Sequence, residues 1–198
     1  MKKGFIAAAA AALISATSFA QTVVPLLDKA CDSRTSFTYK YESAKPGEST
    51  FNLLTNGSAT LEGRGYAVIA TEMKMELRSD GSSVWTIDTA AKEAIIEPAS
   101  DAVPSDIFSN PVVLVRSYKE FFTVSGTGAR YTLTPKDSSL NVKSAVLSTV
   151  GDNADIVLNM KDGSVYRLTL SGITFSDPTA ASFAPAAFTR DWIVTDLR

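Results

Sequence analysis

From Glu72 to Asp88 the chain reads EMKMELRSDGSSVWTID, and apolar and polar positions alternate along it. Met73, Met75 and Leu77 interleave with Glu72, Lys74, Glu76 and Arg78, the period of two that gives a strand one oily face and one charged face. Asp80-Gly81 supplies positive φ angles for a tight hairpin turn. The return strand sets Trp85 and Ile87 apart from Val84, Thr86 and Asp88. The pattern predicts a soft Met73/Met75/Leu77/Trp85/Ile87 surface on a sheet whose other side is wet.

The same reading predicts strands over residues 36–41, 51–61, 65–70, 93–97, 129–134, 141–150, 154–160, 164–175 and 192–197. Asn56-Gly57, Gly151-Asp152 and Asp162-Gly163 carry the turn chemistry. In the strand over 164–175 the apolar parity slips past Ser171-Gly172, so that Ile173 and Phe175 follow Tyr166, Leu168 and Leu170. One extra residue at a glycine bends a long strand, as barrels require. Ten or eleven strands joined as hairpins predict one strongly curved antiparallel sheet rather than βα units.

Two segments read as helices. Residues 25–32 (PLLDKACD) form a short amphipathic one. Within residues 104–122, Asn110 is a good N-cap and Pro111 suits the first helical position. Leu114, Tyr118 and Phe122 fall on one stripe flanked by Val115 and Phe121, while Arg116, Lys119 and Glu120 stay wet. Val112, Val113 and Val115 are mediocre helix formers, so this helix depends on what it packs against and detaches cheaply.

The first 20 residues have a basic start (Lys2, Lys3), an apolar run over positions 4–14 and Ser18-Phe19-Ala20. That is the pattern of a secretory signal peptide cut after Ala20, and it predicts an exported, periplasmic protein with a single domain over residues 21–198. Without Lys2 and Lys3 the chain has 17 basic and 21 acidic residues, a net charge of −4, and no basic block to bind nucleic acid. The lone Cys31 lies beyond Leu27-Asp28-Lys29-Ala30, too far past the cut for a lipidation site, and reads as a small buried hydrophobe.

There is no histidine, which removes Ser-His-Asp and Cys-His catalysis and any histidine metal site. Gly63-Arg64-Gly65 lacks the spacing of a phosphate loop. Asp80, Asp88, Asp152, Asp155 and Asp162 sit where acids fold turns. No catalytic residue, metal or cofactor is expected, and the chain does not read as an enzyme.

Several pieces in order resemble the periplasmic outer-membrane lipoprotein carrier proteins (LolA type). They are Ser79-Asp80-Gly81 with Val84-Trp85, then Asn110-Pro111-Val112-Val113-Leu114-Val115, then Leu133-Thr134-Pro135-Lys136. Phe183 and Phe188 follow, leading to Val194-Thr195-Asp196-Leu197-Arg198, and the ending is most similar to the family's divergent branch. The resemblance implies a mainly β fold: an incomplete, half-open antiparallel β-barrel with a helical lid over an apolar cavity. It implies a monomeric chaperone that takes acylated lipoproteins from an inner-membrane ABC-type releasing complex and passes them to the outer membrane or an acceptor there. It also implies an arginine on an early strand that holds the lid through hydrogen bonds. Arg64 is the matching position, although Gly65 follows it where the family has proline. The alternatives are a carrier of another acylated or lipid envelope intermediate, and a non-carrying module that senses lipids or lipoproteins.

The predicted cavity is lined by Met73, Met75, Leu77, Trp85 and Ile87 from the sheet. Val113, Leu114, Tyr118, Phe121 and Phe122 line it from the lid, with Arg64 as latch.

Overall fold

Pro25 opens the first helix, α1 (Pro25–Asp32), and Asp28 N–H donates back to Val24 O at 2.9 Å. The computed structural model describes residues 24–99, 110–179 and 182–198. The expected signal peptide with its cut after Ala20 lies outside these residues, as do residues 104–109 of the longer helical segment.

After α1 come β1 (Arg34–Ala44), β2 (Asn52–Glu62), β3 (Gly65–Ala70), β4 (Met75–Ser79), β5 (Ser83–Asp88) and β6 (Glu93–Pro98). The second helix, α2 (Pro111–Phe121), starts as its sequence predicts, with the Asn110 side chain accepting from Val112 N at 2.9 Å. Five strands follow: β7 (Phe122–Thr127), β8 (Arg130–Pro135), β9 (Val142–Val150), β10 (Asn153–Met160) and β11 (Val165–Ser176). The last element is β12 (Ile193–Asp196).

Among the described residues all twelve strands form one sheet in the order β12-β6-β5-β4-β3-β2-β1-β11-β10-β9-β8-β7. It is two meanders, β1–β6 and β7–β11, joined where β1 pairs with β11. Every pairing is antiparallel except β12 on β6. The sheet does not close on itself, and this is the half-open barrel with a helical lid.

The parity slip in β11 is a real bulge. Ser36 pairs with Thr174 and Thr38 with Ser171, so Gly172 and Ile173 oppose Phe37 alone, and Gly172 takes φ +61°. Leu168, Leu170 and Ile173 therefore all reach the same buried cluster despite the odd spacing. Gly57 is obligatory for another reason: a Cβ there would fall 1.7 Å from Ile69 O of β3.

Strand β7 is absent from the sequence reading, which runs the helix through Phe122. The helical stripe hands over without a loop to a period of two, Phe122 and Val124 in, Thr123 and Ser125 out. Phe122 satisfies both patterns, and its N–H already bonds to Tyr118 O as the helix cap. The turn acids behave as expected: Asp80 Oδ1 accepts from Ser82 N and Ser83 N, each at 2.8 Å, and Asp162 Oδ1 from Ser164 N at 2.9 Å.

Candidate functional site

One face of the sheet carries both helices, and here it is called the inner face. From β1 to β3 its side chains are Phe37, Tyr39, Ala59, Leu61 and Val68. The β8–β11 half adds Leu133, Leu147, Ile156, Leu158, Leu168 and Leu170. Leu27 and Ala30 of α1, and Val112, Leu114, Val115, Tyr118 and Phe121 of α2, pack into this same cluster. Leu114 and Tyr118 are each 1% exposed, so the lid's own side chains fill the space between lid and sheet. This is a closed state.

Polar ties hold the lid in two places. Tyr118 is the first centre: its hydroxyl donates to Asp28 Oδ1 at 2.7 Å and accepts from Val24 N at 3.2 Å. Lys119 Nζ lies 2.6 Å from the same Asp28 oxygen, so α1 and α2 are fastened to each other. Burial, followed by the bond to Asp28, holds the Tyr118 phenol far above its ordinary pKa.

Arg116 is the second centre. Its Nη1 donates to Arg64 O of the β2–β3 turn at 3.1 Å and its Nη2 to Gly65 O at the start of β3, and its guanidinium lies 5.6 Å from the Tyr66 ring centroid. Burial lowers the Arg116 pKa, the sign of a cation drawn partly out of water. This corrects the sequence reading of Arg116, which is not simply wet: its tie runs from lid to sheet and uses the backbone carbonyl of Arg64.

The other expected lining residues divide. Leu77, Val113, Leu114, Tyr118, Phe121 and Phe122 do come together in the lid-covered cluster. Met75 is half-buried on the same face of β4 as Leu77. Met73 is not on a strand: it lies in the β3–β4 turn, 57% exposed, next to Lys74 at φ +54°. Trp85 and Ile87 are on the opposite, outer face. Ser79 pairs with Val84, which sets Arg78 against Trp85 and Glu76 against Ile87, while Leu77 faces Thr86. Paired residues share a face, so an odd position on β4 meets an even one on β5. Trp85 and Ile87 pack instead with Ala94, Ile96, Ala184, Phe188 and Trp192.

Cys31 also departs from expectation. It is exposed at the edge of α1, with its sulfur 4.0 Å from Val115 O. The aromatic floor was missed: Phe37 and Tyr39, with Tyr66 and the stacked pair Tyr41 and Tyr166 at 5.7 Å between centroids. Its signal was present in the Phe37-Thr38-Tyr39-Lys40-Tyr41 alternation. Among the described residues, no three His, Cys, Asp or Glu side chains gather closely enough to hold a metal ion.

No protein-family profile and no curated protein matches the sequence. Among solved structures, the chain is similar to an uncharacterised conserved protein from Thermus thermophilus. The two are 11% identical with a TM-score of 0.54, over 87% of this chain and 95% of that one, a likeness of fold alone. It is also similar to a LolA superfamily protein from Nitrosomonas europaea, at 14% identity and TM-score 0.44 over 81% and 96% of the chains. A DUF1329 family protein from Desulfovibrio piger is similar at 11% identity and TM-score 0.41 over 82% and 95%.

Proposed function

We propose that this chain is a periplasmic carrier that shelters the acyl chains of lipoproteins between its inner face and its two-helix lid. It would receive them from an inner-membrane ABC-type releasing complex and deliver them to the outer membrane or an acceptor there. The observation that carries this reading is the lid: two helices fastened to each other, seated on an apolar half-barrel and tied to the β2–β3 turn by Arg116.

The energetics suit an exchange of contents. Opening the lid exposes Leu27, Val112, Leu114, Val115, Tyr118 and Phe121, all buried in the closed state. At about 2 kcal/mol for each buried side chain, that costs on the order of 12 kcal/mol. An acyl chain of about fifteen methylenes, at ~0.8 kcal/mol each, recovers the same amount when it takes their place. A single acyl chain and the lid are then near-equal competitors for one surface. A carrier that must release without nucleotide needs that balance, because a deep one-sided preference would lock it.

The direct test is depletion in the native host followed by fractionation of its lipoproteins. Retention at the inner membrane supports the proposal. Normal sorting with a different acylated lipid building up would transfer the function to that lipid and sink the lipoprotein reading. In vitro, Leu114→Asp should abolish uptake of a fluorescent acylated peptide while the far-ultraviolet signal of the sheet persists. Loss of that signal would make α2 a structural plug rather than a lid.

A further inference from the structure

The outer face of the sheet bears a second feature unrelated to the lid. After β11 the chain crosses β1 to β6 on that side before adding β12 at the edge. Glu62 anchors the crossing by accepting from Thr179 N at 2.8 Å and pairing with Arg34 at 2.8 Å. Phe183 then lies close over Gly65, where a Cβ would come within 2.4 Å of its ring. Further on, Phe188 and Trp192 contact each other at 5.1 Å between centroids. Between this crossing segment and β4–β5 is a groove of about 290 Å³.

The groove has apolar walls (Ile87, Pro185, Phe188 and Trp192) and one ion pair, Glu76 with Arg78. Arg78 Nε donates to Glu76 Oε2 at 2.7 Å, and both side chains are about three-quarters covered, at 26% and 24% exposed. No described residue takes a hydrogen bond from the terminal nitrogens of Arg78. At ~30 Å³ for each water in liquid, the groove holds the equivalent of about ten waters, the size of an amino acid with an apolar side chain.

We propose that this groove binds a small zwitterion with an apolar body. Its ammonium would meet Glu76, its carboxylate or phosphate would meet Arg78, and its hydrocarbon or ring would lie against Phe188, Trp192 and Pro185.

Charge accounting selects this ligand class. A purely apolar molecule would cover the ion pair and strip its remaining water without returning a hydrogen bond. A singly charged molecule captures one partner and orphans the other in a half-covered place, a penalty that falls on binding. A zwitterion replaces one internal pair by two intermolecular ones and leaves no charge uncompensated. Planar bidentate recognition of an oxyanion by the free end of Arg78 adds direction.

The protein is its own reporter. Its two tryptophans are Trp85 and Trp192, and both belong to the cluster beneath and beside this groove. Selective tryptophan excitation therefore reads the outer face and not the lid. The experiment titrates the full chain with L-phenylalanine, 3-phenylpropionate and 2-phenylethylamine, following tryptophan emission and calorimetric heat together. The expected result is saturable binding of L-phenylalanine, with both single-charge analogues weaker by about tenfold or more. Dihexanoyl phosphatidylethanolamine is the lipid arm: tighter binding than L-phenylalanine assigns a headgroup as the source of the zwitterion, and weaker binding assigns an amino acid or peptide end.

The double variant Glu76→Gln with Arg78→Gln orphans no charge. It should bring L-phenylalanine and its two analogues to one common affinity while the far-ultraviolet signal of the sheet persists. Equal affinity for these three on the unaltered protein would reduce the groove to a greasy surface and overturn the proposal. So would the absence of both heat and emission change with every probe. Neither result bears on the lid-covered face.

Discussion

Replacing Arg116 by methionine isolates the polar tie that holds the lid, since methionine keeps much of the apolar stem while removing the guanidinium. Two hydrogen bonds are lost, to Arg64 O at 3.1 Å and to Gly65 O, together with the contact to the Tyr66 ring at 5.6 Å. Hydrogen bonds from a charged donor contribute about 1.5–3 kcal/mol each, and an exposed cation–π contact about 0.5–1 kcal/mol. Two effects reduce that sum. The guanidinium is already partly desolvated in the closed state, which is why its pKa is lowered. Its bond to Arg64 O is exposed, so water replaces the donor there. The net shift toward the open lid is about 1–3 kcal/mol, or about 5- to 150-fold in the closed-to-open ratio.

Amide hydrogen exchange measures that ratio segment by segment. In the methionine variant the amides of α1 and α2 should exchange faster by that factor while those of β9 and β10 do not. Uptake of an acylated probe should accelerate in parallel. Arg116→Lys should fall between the two, because one ammonium cannot bridge two carbonyls as a planar fork does. Unchanged exchange in α2 would refute the latch. Equal acceleration in α2 and β10 would refute the lid as a separately opening unit.

Gly57→Ala should cost several kcal/mol in a urea titration, on the order of 3–5, because a methyl 1.7 Å from Ile69 O forces β2 and β3 apart; a loss below about 1 kcal/mol would show that the strands part easily. Stability should also fall in alkali. Burial raises the phenol pKa of Tyr39, Tyr66 and Tyr118, so the unfolded chain releases these protons first, near the ordinary value of 10. Their contribution is complete below that pH and is lost above it, by up to ~1.4 kcal/mol per pH unit for each group. Tyr118→Phe should flatten the alkaline slope by one group, as read from unfolding midpoints across pH, and an unchanged slope would remove Tyr118 from the account.

Much of the fold was legible because its signals are local. Strand β3 was expected over the same residues it occupies, and α1 likewise, since Gly, Pro and charged residues bound them in sequence. The bulge at Gly172 was visible as a break in apolar parity, which any bent strand must show. The helix start at Asn110-Pro111 was visible because a cap is a contact between neighbours in sequence. Strand β7 was hidden because Phe122 fits the last turn of a helix and the first position of a strand equally well. On α2, the inward packing of Leu114, Tyr118 and Phe121 was legible from helical spacing alone.

Sequence by itself determined which segments alternate, which carry a helical stripe, where chains turn, and that no histidine is available for chemistry. Only the tertiary structure decided which face each strand turned toward the lid. Trp85 and Ile87 show the difference. Their alternation is correct in sequence, but the pairing of Ser79 with Val84 puts them on the face turned away from Leu77, under the crossing segment rather than under the lid. The same holds for the latch. Nothing local marks Arg116 as a donor to the sheet, which depends on where α2 lies relative to a backbone carbonyl 51 residues away in sequence. Periodicity is a property of one element and survives in the sequence. Facing and hydrogen-bond polarity belong to pairs of elements, and they exist only once register and packing have brought the pairs together.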